Sequence, residues 1–477
     1  MSTKPTESSA FRVVVVGAGI AGLTASHCLQ KAGIDHIVLE RRLEIDPPEG
    51  AGIAIYPHGA RFLQQIGRLD AAKAECNPCS HFKSLWPDGK LLIDIPYFDN
   101  IKNNNDGQDV LVFERRRYLR LLYDWLPDKS RIRMGTAVKD VKQTAHGVEV
   151  LLSDGSSEKG DLVLGCDGAY SRIRSLMWDH ADTISPGRIS SGDRTVMKTK
   201  WRCLVGVGPP ELSLGRSDMV ATHNQRFSFL TLTQPDFTCW LAVFRLDKPL
   251  TWPQRATYTA REAEELAASI ADCPVSDSLV FGQLWDKRDR GTLIPVEEGV
   301  LKHWFSGRIV LAGDSAHKIT PNIGLGGNLA TESIMVLCNH ISRMMEEQKG
   351  TKPSQLTLER HLGAYQKDQR NRAWRIMKFA GLISSIQAWD TPFTKFLATW
   401  VLPSLPDCSI ALALGLIIKT APTLEVGKTT SRVDTKQYMI KPVIKSYFGT
   451  AHAFKTLGMF VAILLPFYLC GYLDIHM

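Results

Sequence analysis

Residues 11–40 read FRVVVVGAGIAGLTASHCLQKAGIDHIVLE. The four consecutive valines, Val13 to Val16, leave no polar face, the mark of a strand buried on both sides of a parallel sheet. The chain then turns through Gly17-Ala18-Gly19 and enters a helix at about Ile20, with Gly22 completing G-x-G-x-x-G. Gly17 permits the tight turn, Gly19 lets backbone approach a pyrophosphate, and Gly22 lets the helix lie close to the strand. The helix N-terminus offers free N–H groups and a positive dipole end to phosphate. A second strand, His36 to Leu39, ends in Glu40, placed to accept the hydroxyls of an unphosphorylated adenosine ribose. A glycine-rich turn alone is a weak signal. With the valine strand before it and the acidic strand end after it, the stretch predicts a dinucleotide site.

Composition bounds the rest. A chain of 477 residues with 44% hydrophobic content has room for two or three domains and is neither disordered nor fibrous. The net charge of +8 is unevenly placed. From Lys419 to Lys455 seven Lys or Arg stand against only Glu425 and Asp434, next to the last apolar segment. That arrangement suits an anionic membrane surface and not a nucleic acid, and no zinc-ligand spacing accompanies it, so neither nucleic acid nor metal is expected. The ten cysteines are scattered, and Cys76-Asn77-Pro78-Cys79 reads as a pair of free thiols. The polar opening MSTKPTESSA lacks an apolar signal core. A reducing, cytosol-facing body is expected.

After Glu40 come Arg41-Arg42 and the glycine-rich loop Pro47 to Ile55, where Gly52 and Ala54 are small enough for a flat ring or a flexible chain to pass. A short helix over His58 to Gly67 follows, and the polar stretch Asp94 to Gly107 reads as a loop. Val110 to Leu126 is a strand running into a helix opened by Arg115, Arg116 and Arg117. Three cations at a helix N-terminus oppose its dipole. An anion near at least one of them offsets this, with solvated charges as the reading for the other two. Gly147 to Leu152 and Asp161 to Gly165 read as strands joined through Ser153-Asp154-Gly155, and the second leads into Gly165-Cys166-Asp167-Gly168 with Ser171 and Arg174.

From about Ser175 the pattern alternates in β fashion, with a hairpin through Gln234-Pro235-Asp236. A buried strand returns at Gly307 to Ala312 and runs into Gly313-Asp314, a glycine loop and a helix from Leu329. His317 reads as a structural, hydrogen-bonded residue. Beyond Thr351 the chain is helical; Phe396–Pro406 and Cys408–Ile418 are apolar but broken by Pro403, Pro406 and Asp407, and read as buried or interfacial segments rather than spanning ones. Thr456 to Leu473 has no charge and is long enough to span a bilayer, with Tyr468 and Tyr472 as interfacial anchors. The expected fold is α/β. A Rossmann-like domain in two pieces, residues 11–174 and 301–380, carries an inserted, mostly antiparallel β domain, 175–300. A helical, basic, membrane-proximal region, 381–455, leads to a transmembrane helix, 456–473.

Three motifs stand in order: G-x-G-x-x-G with Glu40, Gly165-Cys166-Asp167-Gly168 with Ser171 and Arg174, and Gly313-Asp314. In this the chain resembles the single-component FAD-dependent monooxygenases of the hydroxybenzoate-hydroxylase superfamily, over roughly Arg12 to Leu337. The stretches GDSAHKITPNIGLGGNLATESI (313–334) and FERRRYLRLLY (113–123) are similar to fungal epoxidases of meroterpenoid and indole-diterpene pathways. The resemblance implies that Gly17, Gly19, Gly22 and Glu40 hold the ADP half of FAD. Ala54 lies by the flavin, and Arg115 contacts FAD, with Arg116 as the alternative in register. Asp167 serves FAD and a transient NADPH, Asp314 holds the ribityl chain, and Gly327 with Asn328 holds the pyrimidine edge of the ring. Arg202 matches an active-site arginine. The implied reaction is NADPH- and O2-dependent epoxidation of a prenyl alkene on a geranylgeranyl-indole, through a C4a-hydroperoxyflavin. Related readings are a meroterpenoid epoxidase or an aromatic hydroxylase on the same scaffold. The implied setting is a single-pass anchor in the endoplasmic reticulum membrane, with the catalytic body facing the cytosol and a membrane cyclase as partner.

Overall fold

Arg12–Val16 forms a strand whose four valines are buried, flanked in parallel by Asp35–Leu39 and Leu162–Gly165. The computed structural model describes residues 10–144, 146–405 and 408–426. In it these strands are the centre of a six-stranded sheet in the order 305–306, 309–311, 162–165, 12–16, 35–39, 132–133. The helices Ile20–Lys31 and Gly326–Glu347 pack against each other, and the 33-residue helix Gln355–Gln387 packs on the second of them. The turn Ser153-Asp154-Gly155 closes a hairpin between 148–152 and 157–160. The expected partner of 148–152, the strand ending at Gly165, lies in the six-stranded sheet instead.

The inserted sheet has eight strands in the order 317–318, 290–300, 198–208, 238–251, 227–233, 219–224, 82–85, 91–95. The hairpin through Gln234-Pro235-Asp236 is present, with Thr233 opposite Thr238. Two strands, Phe82–Leu85 and Leu91–Ile95, come from inside the first segment of the cofactor unit. The stretch Asp94–Gly107, expected as a loop, holds the end of one of these strands and the helix Tyr97–Asn103, which buries Phe98 and Ile101. Its asparagines hide a short apolar face in the sequence.

The strand period of two decides what each face of the inserted sheet touches. Trp201, Cys203, Val205 and Val207 join the core shared with the cofactor unit. Leu204, Ala242, Phe229 and Phe244 form a second cluster with Ala263, Ala267, Phe281 and Trp285, contributed by the helices Ala260–Ala268 and Phe281–Asp286. The helix Cys408–Lys419 buries Leu414, Ile417 and Ile418 in the main core. Among the described residues no helix is long and apolar enough to cross a membrane. The apolar segment Thr456–Leu473 and the basic stretch from Lys428 to Lys455 lie outside the described residues.

Candidate functional site

The glycine turn is built as its sequence requires. Gly17 sits at φ +99°, and a Cβ there would stand 2.6 Å from the Cys166 carbonyl oxygen. A Cβ on Gly22 would stand 1.8 Å from the Gly17 carbonyl oxygen, so helix and turn touch backbone to backbone. Gly19 differs: a Cβ there meets nothing within 4 Å. It is the N-cap of a helix with no side-chain cap, which leaves first-turn N–H groups facing the opening. This is the cradle a pyrophosphate needs. Glu40 is buried beside it; its Oε2 accepts the Ala18 N–H at 2.7 Å and its Oε1 accepts the Arg42 N–H at 2.9 Å. The carboxylate thus holds the turn in shape while its remaining lone pairs are available to ribose hydroxyls.

Arg115, Arg116 and Arg117 separate clearly. Arg116 lies 3.3 Å from the Asp46 carboxylate and Arg117 pairs with Glu75 and Asp236. Arg115 instead donates to the Glu49 carbonyl at 3.3 Å. Burial pulls its guanidinium below the usual range, and the charge of Asp314 acts against that. Among the described residues Arg115 alone of the three has no carboxylate within 4.0 Å.

Ala54 lies in the strand Gly52–Ile55, paired with Leu111–Glu114. Gly52, read as space for the cofactor, serves the inserted sheet: a Cβ there would stand 2.4 Å from Cys239 Sγ. Asn328 is buried, and its side chain is committed to protein. Its Nδ2 donates to the Ala54 carbonyl at 2.8 Å and the Gly324 carbonyl at 3.1 Å, and its Oδ1 accepts the Tyr56 N–H at 3.0 Å. The Asn328 side chain is thus a brace, and the backbone of Gly327 and Asn328 stays at a helix N-terminus with no side-chain cap. Gly327 is needed for approach, since a Cβ would stand 2.7 Å from Ile53 Cδ1.

Asp167 accepts from Ser171 Oγ at 2.5 Å and from the Ile173 N–H at 3.0 Å, and burial raises its pKa. Arg174 ties this loop to the next: it donates to the Ser315 carbonyl at 3.1 Å and the Ala169 carbonyl at 2.6 Å. Asp314 follows Gly313, which adopts φ +65°, and its carboxylate lies 3.5 Å from Lys318 Nζ. Lys318 also lies 3.2 Å from Glu297, which accepts from the Tyr170 hydroxyl. Burial alone would lower the Lys318 amine, but the two carboxylates outweigh it and hold it up. Sequence reading missed Lys318 and Glu297, because they meet only through the pairing of Gly299 with Lys318. His317 is buried, 2.6 Å from Ser333 Oγ, and burial lowers its pKa to about 4; it is the structural residue expected. Cys76 and Cys79 are free thiols, with burial pushing both up.

Arg202 is on the sheet face turned away from these residues. It lies opposite Phe244 and Pro295 on the face that carries the second cluster, with its guanidinium 5.9 Å from the Phe244 ring centre. The adjacent residues Trp201 and Cys203 are the ones that face the cofactor unit.

A family model described as an FAD binding domain matches residues 10–380. The FAD-dependent monooxygenase DEP2 of Alternaria brassicicola is 37% identical over 419 residues, covering 87% of this chain and 79% of its own length. The FAD-dependent monooxygenase andE of Emericella variicolor is 33% identical over 422 residues, covering 87% of this chain and 89% of its own. Among solved structures, Klebsiella pneumoniae HpxO, complexed with FAD and uric acid, matches with a TM-score of 0.70 at 18% identity. That likeness covers 86% of this chain and 97% of the other, and speaks to the fold alone. Two glycine-lined helix N-termini and the buried Glu40 carboxylate beside the first of them fit FAD as cofactor, used with O2 and a reduced nicotinamide. The chain belongs to the FAD-dependent monooxygenases of the hydroxybenzoate-hydroxylase superfamily.

Proposed function

We propose that this monooxygenase epoxidises a prenyl-chain alkene of a geranylgeranylated indole, with NADPH as a reductant that visits without a domain of its own. The observation that carries the reading is the chemistry of the sheet face turned toward the cofactor unit. Arg245 and Arg290 share this face and are paired, with Asp390 and Glu114; the titratable groups along its middle are His223, Cys203 and Cys239. Burial lowers His223 to about 4 and raises both thiols, so all three are uncharged at neutral pH. His223 is also occupied, 2.7 Å from Ser84 Oγ and 2.9 Å from the Gln387 carbonyl. A phenol must lose its proton to be attacked by electrophilic oxygen, which calls for a base; an isolated alkene has no such need.

Bound FAD, reduced by the nicotinamide, supplies the oxygen activation. The chain's own residues do the rest. Gly17, Gly19, Gly22 and Glu40 receive the ADP half, Arg115 and Asp167 flank it, and Asp314 takes the ribityl hydroxyls. The Gly327–Asn328 backbone N–H groups meet the electron-rich ring edge, and Ala54 leaves room beside it. Residues 11–174 and 301–380 act as the cofactor domain, and 175–300, its sheet completed by Phe82–Leu85, Leu91–Ile95 and His317–Lys318, as the substrate domain, whose buried inner face excludes water. No role touching the reacting atoms is proposed for Arg202. The charge-free segment 456–473 anchors the body at the cytosolic face of the endoplasmic reticulum, as suits a lipid-soluble substrate and a membrane cyclase downstream.

Purified flavoprotein is to be incubated with NADPH, geranylgeranyl-indole and isotopically labelled dioxygen. A product carrying one labelled oxygen on the prenyl chain, opened by acid to a diol, is expected. A ring-hydroxylated indole as the product sinks the epoxidase reading and leaves the aromatic hydroxylase.

A further inference from the structure

At the end of the long helix Gln355–Gln387 the chain turns back through the short helix Pro392–Phe396 and the π-helical turn Leu397–Val401. Leu397 and Ala398 face inward, in one cluster with Ile386 and Trp389. Phe393, Phe396 and Trp400 face out and are 62%, 52% and 70% exposed. Scattered exposed aromatics are ordinary, whereas three within eight residues form a patch. Lys395 stands among them, 4.5 Å from the Trp389 ring centre.

Behind the patch a cavity of about 560 Å³ lies between the long helix and the inserted sheet. Trp374, Lys378, Leu382 and Ser385, one stripe of the helix, form one wall; Lys198, Lys200 and Arg245 stand on the other. Lys200 pairs with Glu298, and Arg245 lies 3.3 Å from Asp390. Among the described residues neither Lys198 nor Lys378 has a carboxylate within 4.0 Å, and Lys378 sits 5.4 Å from the Trp374 ring centre. The cavity therefore carries excess positive charge. Leu382 belongs both to its wall and to the apolar cluster under the aromatic rings, so patch and cavity are one continuous face.

We propose that this face rests on an anionic bilayer. Phe393, Phe396 and Trp400 enter the boundary between headgroups and acyl chains, and Lys198 and Lys378 receive the phosphate of an anionic phospholipid. Aromatic rings flanked by lysines are the usual makeup of an interfacial surface. A second copy of the chain seated here on a twofold axis would bring Lys378 and Lys395 toward their own duplicates, whereas lipid phosphate complements them. The sequence beyond Val426 agrees: it runs through a stretch rich in Lys and Arg to the charge-free segment Thr456–Leu473. The inference rests on the membrane reading above for its setting, though the face engages lipid by its own residues.

The test uses the full-length, FAD-loaded protein with vesicles of phosphatidylcholine, alone or with one-third phosphatidylserine. Amide hydrogen exchange over residues 391–404 is expected to slow about threefold or more on the anionic vesicles and less on the neutral ones. The variant Phe393→Ser/Phe396→Ser/Trp400→Ser loses the slowing, and Lys198→Glu/Lys378→Glu loses the preference for anionic lipid, both with flavin absorbance intact. Exchange unchanged by anionic vesicles overturns the proposal. So does equal slowing by inorganic phosphate without vesicles, or slowing that tracks protein concentration in plain buffer, which assigns the face to a second copy. Resistance to alkaline carbonate extraction reports separately on residues 456–473. Its loss sinks the anchor while the exchange result still decides this face.

Discussion

Asn328 and Ala54, 274 positions apart in sequence, are joined by a 2.8 Å hydrogen bond from the Asn328 amide to the Ala54 carbonyl. The same side chain takes the Tyr56 N–H. One residue thus latches the small-residue strand to the start of the Gly326 helix. Asn328→Ala leaves a buried donor and a buried acceptor unsatisfied, a cost of about 1–3 kcal/mol for each group. A lower Tm in the apoprotein and easier loss of FAD are expected, read by thermal denaturation and flavin fluorescence. A variant with unchanged Tm would show that the latch is dispensable.

Gly19 and Gly22 belong to one motif yet should fail differently. Gly22→Ala drives a Cβ into the Gly17 carbonyl at 1.8 Å and cannot be relieved by a side-chain rotation, so poor folding is expected. Gly19 has ordinary backbone angles, φ −72° and ψ −169°, and open space at its Cβ. Gly19→Ala should keep the apoprotein Tm and still weaken FAD binding by about tenfold or more, because the methyl occupies the phosphate approach. Titration of apoprotein with FAD measures this, and unaltered affinity contradicts the role given to Gly19.

Lys318 stands between Asp314 and Glu297. Lys318→Met removes the cation and leaves two carboxylates facing each other. The loss should be about 1–3 kcal/mol, below that of a fully buried pair because the Asp314 side chain is partly exposed. Adding Glu297→Gln should recover part of it. Chemical denaturation of the single and double variants checks this; a double variant less stable than the sum of the single changes would contradict the pairing.

Four buried histidines predict acid sensitivity. His27, His58, His223 and His317 are each lowered by burial from 6.5 to about 4. The unfolded chain therefore binds more protons than the folded one between those values. Stability is full above about pH 6.5, falls as pH drops toward 4, and levels off below. The slope is about 1.4 kcal/mol per pH unit for each histidine. Denaturation midpoints measured from pH 7.5 to 4 give the curve. His223→Gln should flatten it by one histidine's share.

What could be read from sequence was whatever chemistry is local in the chain. The valine strand, the glycine turn and Glu40 sit within 30 residues, and their geometry matches the reading. Arg115 could be named but not separated from Arg116, because Asp46, which claims Arg116, arrives from 70 residues upstream. Lys318 was invisible for the same reason: its partner Glu297 reaches it through strand pairing. Arg202 shows the opposite limit. Its neighbours alternate between two buried faces, one toward the cofactor unit and one toward the Ala260 helix, and an apolar strand buried on both sides does not declare which is which. The helix Tyr97–Asn103 was hidden by asparagines on its exposed side.

The inserted sheet is completed by Phe82–Leu85 and Leu91–Ile95, drawn from the middle of the cofactor unit. Its outermost strand on the other side is His317–Lys318, two residues of the loop that carries Asp314. The substrate half is therefore no cassette. Grafting residues 175–300 from one relative into another would strip Met219–Asn224 of its matched neighbour and re-seat Lys318 against a foreign strand. Exchanging specificity between such enzymes means transplanting three separated pieces of chain at once, and the evolution of new substrates on this scaffold is held to the same condition.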